Sequence, residues 1–287
     1  MTHQDLRQSD MWSDYLELYC WKSLKTANGV VIRIIRVLCF NVAKIQRPSP
    51  LSQKDIEEIK MLCRKKHVVY LVIEPSLNQD LQLLKKDGFR ETKSPYLPPK
   101  TTIIDLTKDI NALWNTLSKT ARNSIKKAER DNIKIDIIQF PNQEALRRFH
   151  IEAKKTGKQK GFYVQGFSDI LKKSQIFGNN SFLINSYTKE GFLANSNFYL
   201  AYQKKVWFMH AATTKEGRKS NSGYKLMWQA INYFKSMGFE KLDLEGIKDN
   251  RFPEYTKKWG GITSFKQKFG GEIVEFPPSM IKYIIPL

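Results

Sequence analysis

Cysteine is scarce in this chain and falls into no pattern. Cys20, Cys39 and Cys63 are odd in number and sit in apolar segments, which argues against a disulfide framework and for reduced, packed thiols in a cytoplasmic protein. The four histidines, His3, His67, His150 and His210, have no metal-ligand spacing with each other or with the cysteines, so no metal site is expected. No run is apolar enough to span a membrane: the most apolar stretch, VVIRIIRVLCF, is broken by Arg33 and Arg36, and the N-terminal MTHQDLRQSDMW is too polar for a signal peptide. Neither G-x-G-x-x-G nor G-x-x-x-x-G-K-[ST] follows a strand-like run, which excludes dinucleotide-binding and Walker-type NTPase loops. No Ser-His-Asp or Cys-His signature is present.

Acidic residues are also short, with 28 Asp and Glu against 48 Lys and Arg, a net charge of +20. The long-range consequence is attraction to polyanions: nucleic acid, anionic lipid or nucleotide-linked substrates. At 287 residues, with 41% hydrophobic and 12% aromatic content, the chain can bury real cores and suits two domains of modest size.

Strand-like runs fall at 30–40, 67–74, 101–106, 133–140, 181–188, 192–202, 206–213, 241–247 and 272–276, and helical periodicity at 52–66, 78–87, 110–131 with a break near Ser118, 142–155, 167–176 and 222–237. The strands from Ile133 to Thr213 read as an antiparallel meander, so a mixed α/β fold of the α+β type is expected. An internal echo links VYLVIEPSLNQDLQLLKKDGF (Val69–Phe89) with KLDLEGIKDNRFPEYTKKWGGI (Lys241–Ile262). It suggests two copies of one α/β unit.

SKTARNSIKKAERDNIKI opens on a capping serine and carries Lys119, Arg122, Lys126, Lys127 and Arg130, with Arg122, Lys126 and Arg130 on one helical face. A solvated basic helix is the ordinary reading. The further bases Arg147, Arg148, Lys154, Lys155, Lys158, Lys160, Lys172 and Lys173 favour a phosphate-tracking surface. The segment Val206–Phe234 is strand, loop, helix; its turn Arg218–Gly223 stands where acyl-CoA N-acetyltransferases bind pyrophosphate, but lacks the first glycine. Asp243 and Glu245 alternate on one strand face and could orient or deprotonate an amine, or pair with the chain's own lysines. Glycine pairs fence Phe265-Lys266 in GGITSFKQKFGG, which reads as a glycine-bounded turn and strand with Lys266 and Lys268 on one face.

Taken in order, QSDMW, TTIIDL, LSKTARNSIKKAERD, VWFMHAA, LDLEGI and GGITSFKQKFGG resemble the Fem-type (FemABX) aminoacyltransferases over nearly the whole chain. The resemblance implies two fused acetyltransferase-like (GNAT-like) domains that dispense with CoA. The first takes residues 1–107 with 275–287, and the second, carrying the transfer site, takes 108–274. It implies transfer of an amino acid from aminoacyl-tRNA, as co-substrate and without a cofactor, to an amine of a UDP-linked or lipid-linked peptidoglycan precursor. The protein is then expected to be a cytoplasmic monomer, with at most peripheral contact at the inner membrane leaflet. The family's F-K-x-x-F motif falls on Phe265–Phe269, so Lys266 inherits the catalytic role beside Phe265, with Asp243 and Glu245 in support. Its precursor-binding tyrosine falls at His210, and Tyr224 is a further candidate contact. The family's arginine and tyrosine pair has no clear counterpart in TGKQKGFYVQGF, where Lys158, Lys160 and Tyr163 are the available substitutes. Lys22 or Lys25 stands where another phosphate-contacting lysine is placed, and Arg218 joins Lys119, Arg122, Lys126, Lys127 and Arg130 as tRNA or phosphate contacts. The competing expectations are an acyl-CoA-dependent N-acyltransferase and a basic module that binds RNA or anionic lipid.

Overall fold

The computed structural model describes residues 4–161 and 163–284; His3, Phe162 and the end of the expected 275–287 segment lie outside the described residues. The chain divides into two compact units: Met1–Lys100 with Asp249–Tyr255 and Glu275–Leu287, and Thr101–Lys248 with Thr256–Val274. The first division falls before Thr101, earlier than the residue 107 read from the sequence, and the strand that follows it joins the second unit's sheet.

Unit 1 begins with α1 (Asp10–Glu17), β1 (Lys22–Lys25), β2 (Val31–Val37), β3 (Phe40–Gln46), α2 (Gln53–Lys65), β4 (Val68–Glu74), α3 (Leu81–Lys86) and β5 (Arg90–Glu91). The chain then builds β6 (Lys100–Asp105), α4 (Ile110–Thr116), α5 (Lys119–Arg130), β7 (Lys134–Gln139), α6 (Gln143–Lys160), α7 (Phe167–Phe177), β8 (Ser181–Tyr187), β9 (Leu193–Tyr202) and β10 (Lys205–Thr213). There follow α8 (Lys215–Lys219), α9 (Ser222–Ser236), β11 (Lys241–Gly246), α10 (Pro253–Thr256), α11 (Gly260–Gln267), β12 (Glu272–Glu275) and finally β13 (Met280–Tyr283), which returns to unit 1.

The sheet of unit 1 has the order β1-β2-β3-β4-β13-β5, and that of unit 2 has β12-β6-β11-β10-β9-β8-β7. Each contains a parallel pair, β3 with β4 and β10 with β11, flanked on both sides by antiparallel neighbours. The two segments of the sequence echo begin at β4 and β11, the second strands of those parallel pairs, so they hold equivalent places in the two sheets. The run read as one strand over 30–40 is a hairpin that turns at Leu38, which has φ 55 and is 91% exposed. No glycine or asparagine marks that turn, so the residues alone read through it.

In unit 1, Ser52 and Asp55 form a capping box that starts α2, and Ile56, Ile59 and Cys63 then pack inward onto Ile32, Ile45, Leu71 and Ile73. Burial pushes the Cys63 thiol up to about 12, whereas Cys20 and Cys39 are exposed, contrary to the expectation of three packed thiols. In unit 2 the break at Ser118 is a helix boundary: its hydroxyl accepts from Ala121 N at 3.1 Å, and α5 buries Ala121, Ile125 and Ala128. Phe182, Tyr199 and Phe234 form the aromatic centre of this core, with Phe234 centroids 5.3 and 5.1 Å from the other two rings.

Candidate active site

The site begins where two strands part. β10 and β11 pair from Lys205 opposite Lys241 to Trp207 opposite Asp243 and no further. Beyond that point β10 bulges between Phe208 and His210 and follows β9, while β11 bulges between Asp243 and Gly246 and follows β6, with Glu245 at φ 59. The closed end of this seam holds a buried ion pair, Lys205 Nζ to Asp243 Oδ2 at 2.8 Å. Asp243 Oδ1 also accepts from Thr101 Oγ1 at 2.6 Å and from Glu245 N at 2.9 Å. Burial pushes this carboxyl up, but the Lys205 charge and these hydrogen bonds outweigh it and hold it below the usual range. Asp243, read from the sequence as sharing a face with Glu245 and serving an amine, is committed instead to the seam; the bulge removes the simple alternation between the two.

The open end holds Lys266. The residue lies in the last turn of α11, only 4% exposed, and its ammonium donates to Gly246 O at 2.8 Å. It stands 5.6 Å over the Phe208 ring and has no ion pair among the described residues. Burial pushes Lys266 down to about 8, against the charges of Glu245 and Asp243, which favour the protonated form. Gly246 O holds one of its protons, and the other two meet no hydrogen-bond acceptor among the described residues.

The segment that presents Lys266 is a helix rather than the expected turn and strand. Gly260 and Gly261 start α11 with open space around them, so the first glycine pair answers no steric demand. The second pair does: Gly270 and Gly271 have φ 72 and 90, and a Cβ there meets Thr116 Oγ1 at 2.7 Å and Ile103 O at 2.8 Å. Only glycine lets the chain leave α11 and enter β12 past α4 and β6. Phe265, Phe269 and Tyr224 pack as a mutual trio, with Tyr224 5.1 and 5.9 Å from the two phenylalanine centroids, which are 5.0 Å apart. Lys268 does not share a strand face with Lys266; its ammonium donates to the Tyr224 hydroxyl at 3.1 Å.

On β10, His210 stacks on Phe198 and its Nε2 lies 3.2 Å from Gln165 Oε1. The same oxygen accepts from Lys173 Nζ at 2.5 Å. A lysine ammonium only donates, so the amide oxygen faces it and His210 Nε2 is the protonated nitrogen. Burial, followed by the Lys173 charge, pushes the imidazole down to about 3, so His210 is neutral. Lys173, read as part of a basic surface, is 2% exposed and belongs to this network. Its helical spacing was the available signal: Lys173 falls with Ile170, Ser174 and Phe177 at i, i+3, i+4 and i+7 on the buried face of α7.

The other basic candidates lie on the surfaces of the two units. Lys119 and Lys127 line a cleft of about 320 Å³ with Asn123, Ser124 and Asn221, where α5 begins beside the start of α9. Lys126 and Arg130 are exposed on α5, whereas the Arg122 guanidinium donates to Leu117 O at 2.6 Å and closes the end of α4. Arg218 sits on α8, a helical turn in place of an open pyrophosphate loop, and lines a 520 Å³ groove with Arg148, Lys155, Lys215 and Phe192. Lys158 and Lys160 are exposed at the end of α6, whose Gly161 carbonyl accepts from Lys258 at 2.6 Å, and Tyr163 is 82% exposed. Lys22 and Lys25 belong to unit 1, where Lys25 pairs with Asp10 at 2.5 Å.

The last three of the six motifs lie in one stretch that is recognisable beyond this chain. Residues 171–287 match the FemAB family. The Fem-type resemblance read from the motifs thereby holds, and the FemAB stretch contains β10, β11 and α11, the elements that form the seam and its lysine. The fold is similar to that of FemX, at TM-score 0.80 and 15% identity, covering 98% of this chain and 92% of that one. It is also similar to L-PGS from Bacillus licheniformis (TM-score 0.64, 15% identity, 99% and 94% covered). A tandem GNAT protein from the clavulanic acid biosynthesis pathway matches at TM-score 0.54, 12% identity, 90% and 80% covered. The expected fold of two GNAT-like units with mixed sheets flanked by helices is thus borne out. No curated protein matches the sequence.

Proposed function

We propose that the protein is an aminoacyltransferase that moves an amino acid from aminoacyl-tRNA to a primary amine on the stem peptide of a UDP-linked or lipid-linked peptidoglycan precursor. The observation that carries this reading is Lys266, a buried ammonium without a carboxylate partner among the described residues, held where β10 and β11 separate. The FemAB match and the fold of FemX support it.

An aminoacyl ester is already activated, so the reaction needs no nucleotide hydrolysis and no cofactor beyond the charged tRNA. The amine attacks the ester carbonyl, a C–N bond forms, and negative charge gathers on the carbonyl oxygen. Lys266 donates a hydrogen bond to that oxygen in a site where water does not compete; such a donor is worth on the order of 100- to 1,000-fold in rate. Collapse breaks the C–O bond to the ribose. The leaving oxygen takes up one proton as the attacking nitrogen loses one, and an ammonium with a pKa near 8 is matched to carrying that proton. The Phe208 ring lies beside the ammonium, and the exposed bases of α5 supply attraction for the tRNA phosphates.

The acceptor role of Lys158, Lys160, Tyr163 and His210, and the phosphate role of Lys22 or Lys25, belong to the same proposal, as does monomeric action on the cytoplasmic side. Among the described residues no helix is long and apolar enough to cross a membrane. Leaflet contact through the basic surface belongs to the same proposal. The test is transfer in vitro from a mixture of charged tRNAs to UDP-linked muropeptide and to its lipid-linked form. Amide-linked product on either acceptor is expected; well-folded protein that transfers no amino acid to either overturns the reading.

A further inference from the structure

Unit 1 contains a second concentration of buried positive charge, which neither the family match nor the sequence motifs assign. Ser23 on β1 lies opposite Arg33 on β2, and Arg33 lies opposite Lys44 on β3. Residues directly opposite across neighbouring strands share a face, so the three form a row across the sheet, on the side where α1 packs.

This row is full of unused donors. Arg33 is 0% exposed; Nη2 reaches Ser9 O at 3.5 Å and Ser13 Oγ at 3.2 Å, while Nε and Nη1 have no hydrogen-bond partner among the described residues. The Ser23 hydroxyl, also buried, has none either. Lys44 is half-buried and rests its ammonium 4.0 Å over the Trp21 ring, with no ion pair among the described residues. Burial, then the charges of Arg33 and Arg7, push Lys44 down to about 8. The acids nearby are matched elsewhere, Asp5 with Arg7 at 3.2 Å and Asp10 with Lys25 at 2.5 Å. A buried polar group without a partner costs about 1–3 kcal/mol, and more when charged. Two unmatched cations, with a serine hydroxyl beside them, are a cost that a bound anion removes.

We propose that Ser23, Arg33 and Lys44 form a phosphoryl-binding site in unit 1, with Trp21 and Lys44 at its mouth. Two unmatched positive charges favour a phosphate dianion over a single carboxylate, and guanidinium and ammonium donors match phosphoryl oxygens. The site stands on unit 1 alone and does not depend on the transfer reaction.

The probe is inorganic phosphate, titrated into the full chain in phosphate-free buffer by calorimetry, with sulfate and acetate as comparison anions. Phosphate is expected to bind and to raise the melting temperature. Lys44→Gln and Arg33→Gln are each expected to weaken phosphate binding by about 10- to 100-fold, the loss of one charge-assisted donor. Lys65→Gln, at an exposed position of α2, leaves it unchanged. Arg33 is buried and its replacement can unfold unit 1, so Lys44→Gln, checked by circular dichroism, is the deciding variant. Phosphate binding in a folded Lys44→Gln protein equal to that of the parent overturns the site, as does equal binding of acetate. Displacement of phosphate by UDP assigns the group to a soluble nucleotide ester, displacement by phosphatidylglycerol vesicles assigns it to a lipid headgroup, and displacement by neither assigns it to the free anion.

Discussion

The two units carry the same kind of seam and treat it differently. In unit 1 the parallel pair β3 and β4 shifts register once, between Asn41 and Val42, and then stays in register from Val42 opposite Tyr70 to Gln46 opposite Glu74, the end of both strands. In unit 2 the parallel pair β10 and β11 separates after Trp207 and Asp243. The closed seam ends on a satisfied acid, since Glu74 Oε1 accepts from Ser279 Oγ and Tyr96 N, both at 2.8 Å. The open seam ends on an ammonium held by a single carbonyl. One sheet plan thus yields a structural unit where pairing runs to completion and a candidate active site where it stops. The two ends of the β10–β11 seam repeat the lesson at shorter range: Lys205 is buried with a carboxylate, Lys266 without one.

The comparison breaks most severely at the closed end. Asp243→Ala leaves Lys205 buried with no counter-charge, and is expected to destabilise the fold by about 3–5 kcal/mol in urea unfolding. Restoring apolar contact with the double change Asp243→Leu and Lys205→Met is expected to recover most of that loss. Recovery failing in the double variant means the pair does more than neutralise itself.

At the open end the same kind of truncation is expected to act on rate. Lys266→Met is expected to lower the transfer rate by about 100- to 1,000-fold, read in single-turnover assays with charged tRNA. Its effect on stability has the opposite sign to that at Asp243. The folded-state pKa of about 8 lies below the ordinary 10.5, so the unfolded chain binds the extra proton more tightly. The Lys266 contribution to stability is fully favourable only above the unfolded value and is lost as pH falls through about 8. Lys266→Met is therefore expected to stabilise the protein by roughly 1–3 kcal/mol at pH 7, a gain that shrinks as pH rises toward 10.5. Activity of the parent protein is expected to fall above pH about 8, as the ammonium is lost. A Lys266→Met protein less stable than the parent at pH 7 removes the claim that an uncompensated charge is held there.

The motif order, the meander and the helix boundary at Ser118 were legible because each rests on local chemistry: alternation, hairpin turns, a capping hydroxyl. The segment bearing Lys266 was misread for an equally local reason. Phe265 and Phe269 are four residues apart, a spacing that satisfies both a strand period of two and a helix period near 3.6. Flanking glycines then tipped the reading away from a helix, although only Gly270 and Gly271 have a conformational task. The split between β10 and β11 was not legible at all, because it depends on two bulges and on which neighbour each strand keeps. For the same reason Asp243 looked like a catalytic acid in LDLEGI. Its partner Lys205 lies thirty-eight positions earlier, brought beside it by parallel pairing.

The smallest expected effect separates the two lysines of the F-K-x-x-F stretch. A strand period alone places Lys266 and Lys268 on equal terms, although the F-K-x-x-F resemblance favours Lys266, and the helix turns them apart: Lys266 faces the split seam, and Lys268, half-buried at the helix end, donates to the Tyr224 hydroxyl at 3.1 Å. That bond steadies a ring already packed against Phe265 and Phe269. Losing one partly exposed bond of this sort costs up to about 1 kcal/mol, so Lys268→Met is expected to change the transfer rate by no more than about fivefold. A loss at Lys268 as large as that at Lys266 means that both ammoniums reach the reacting ester, and that the difference between a lysine in the seam and one beside it does not govern the chemistry.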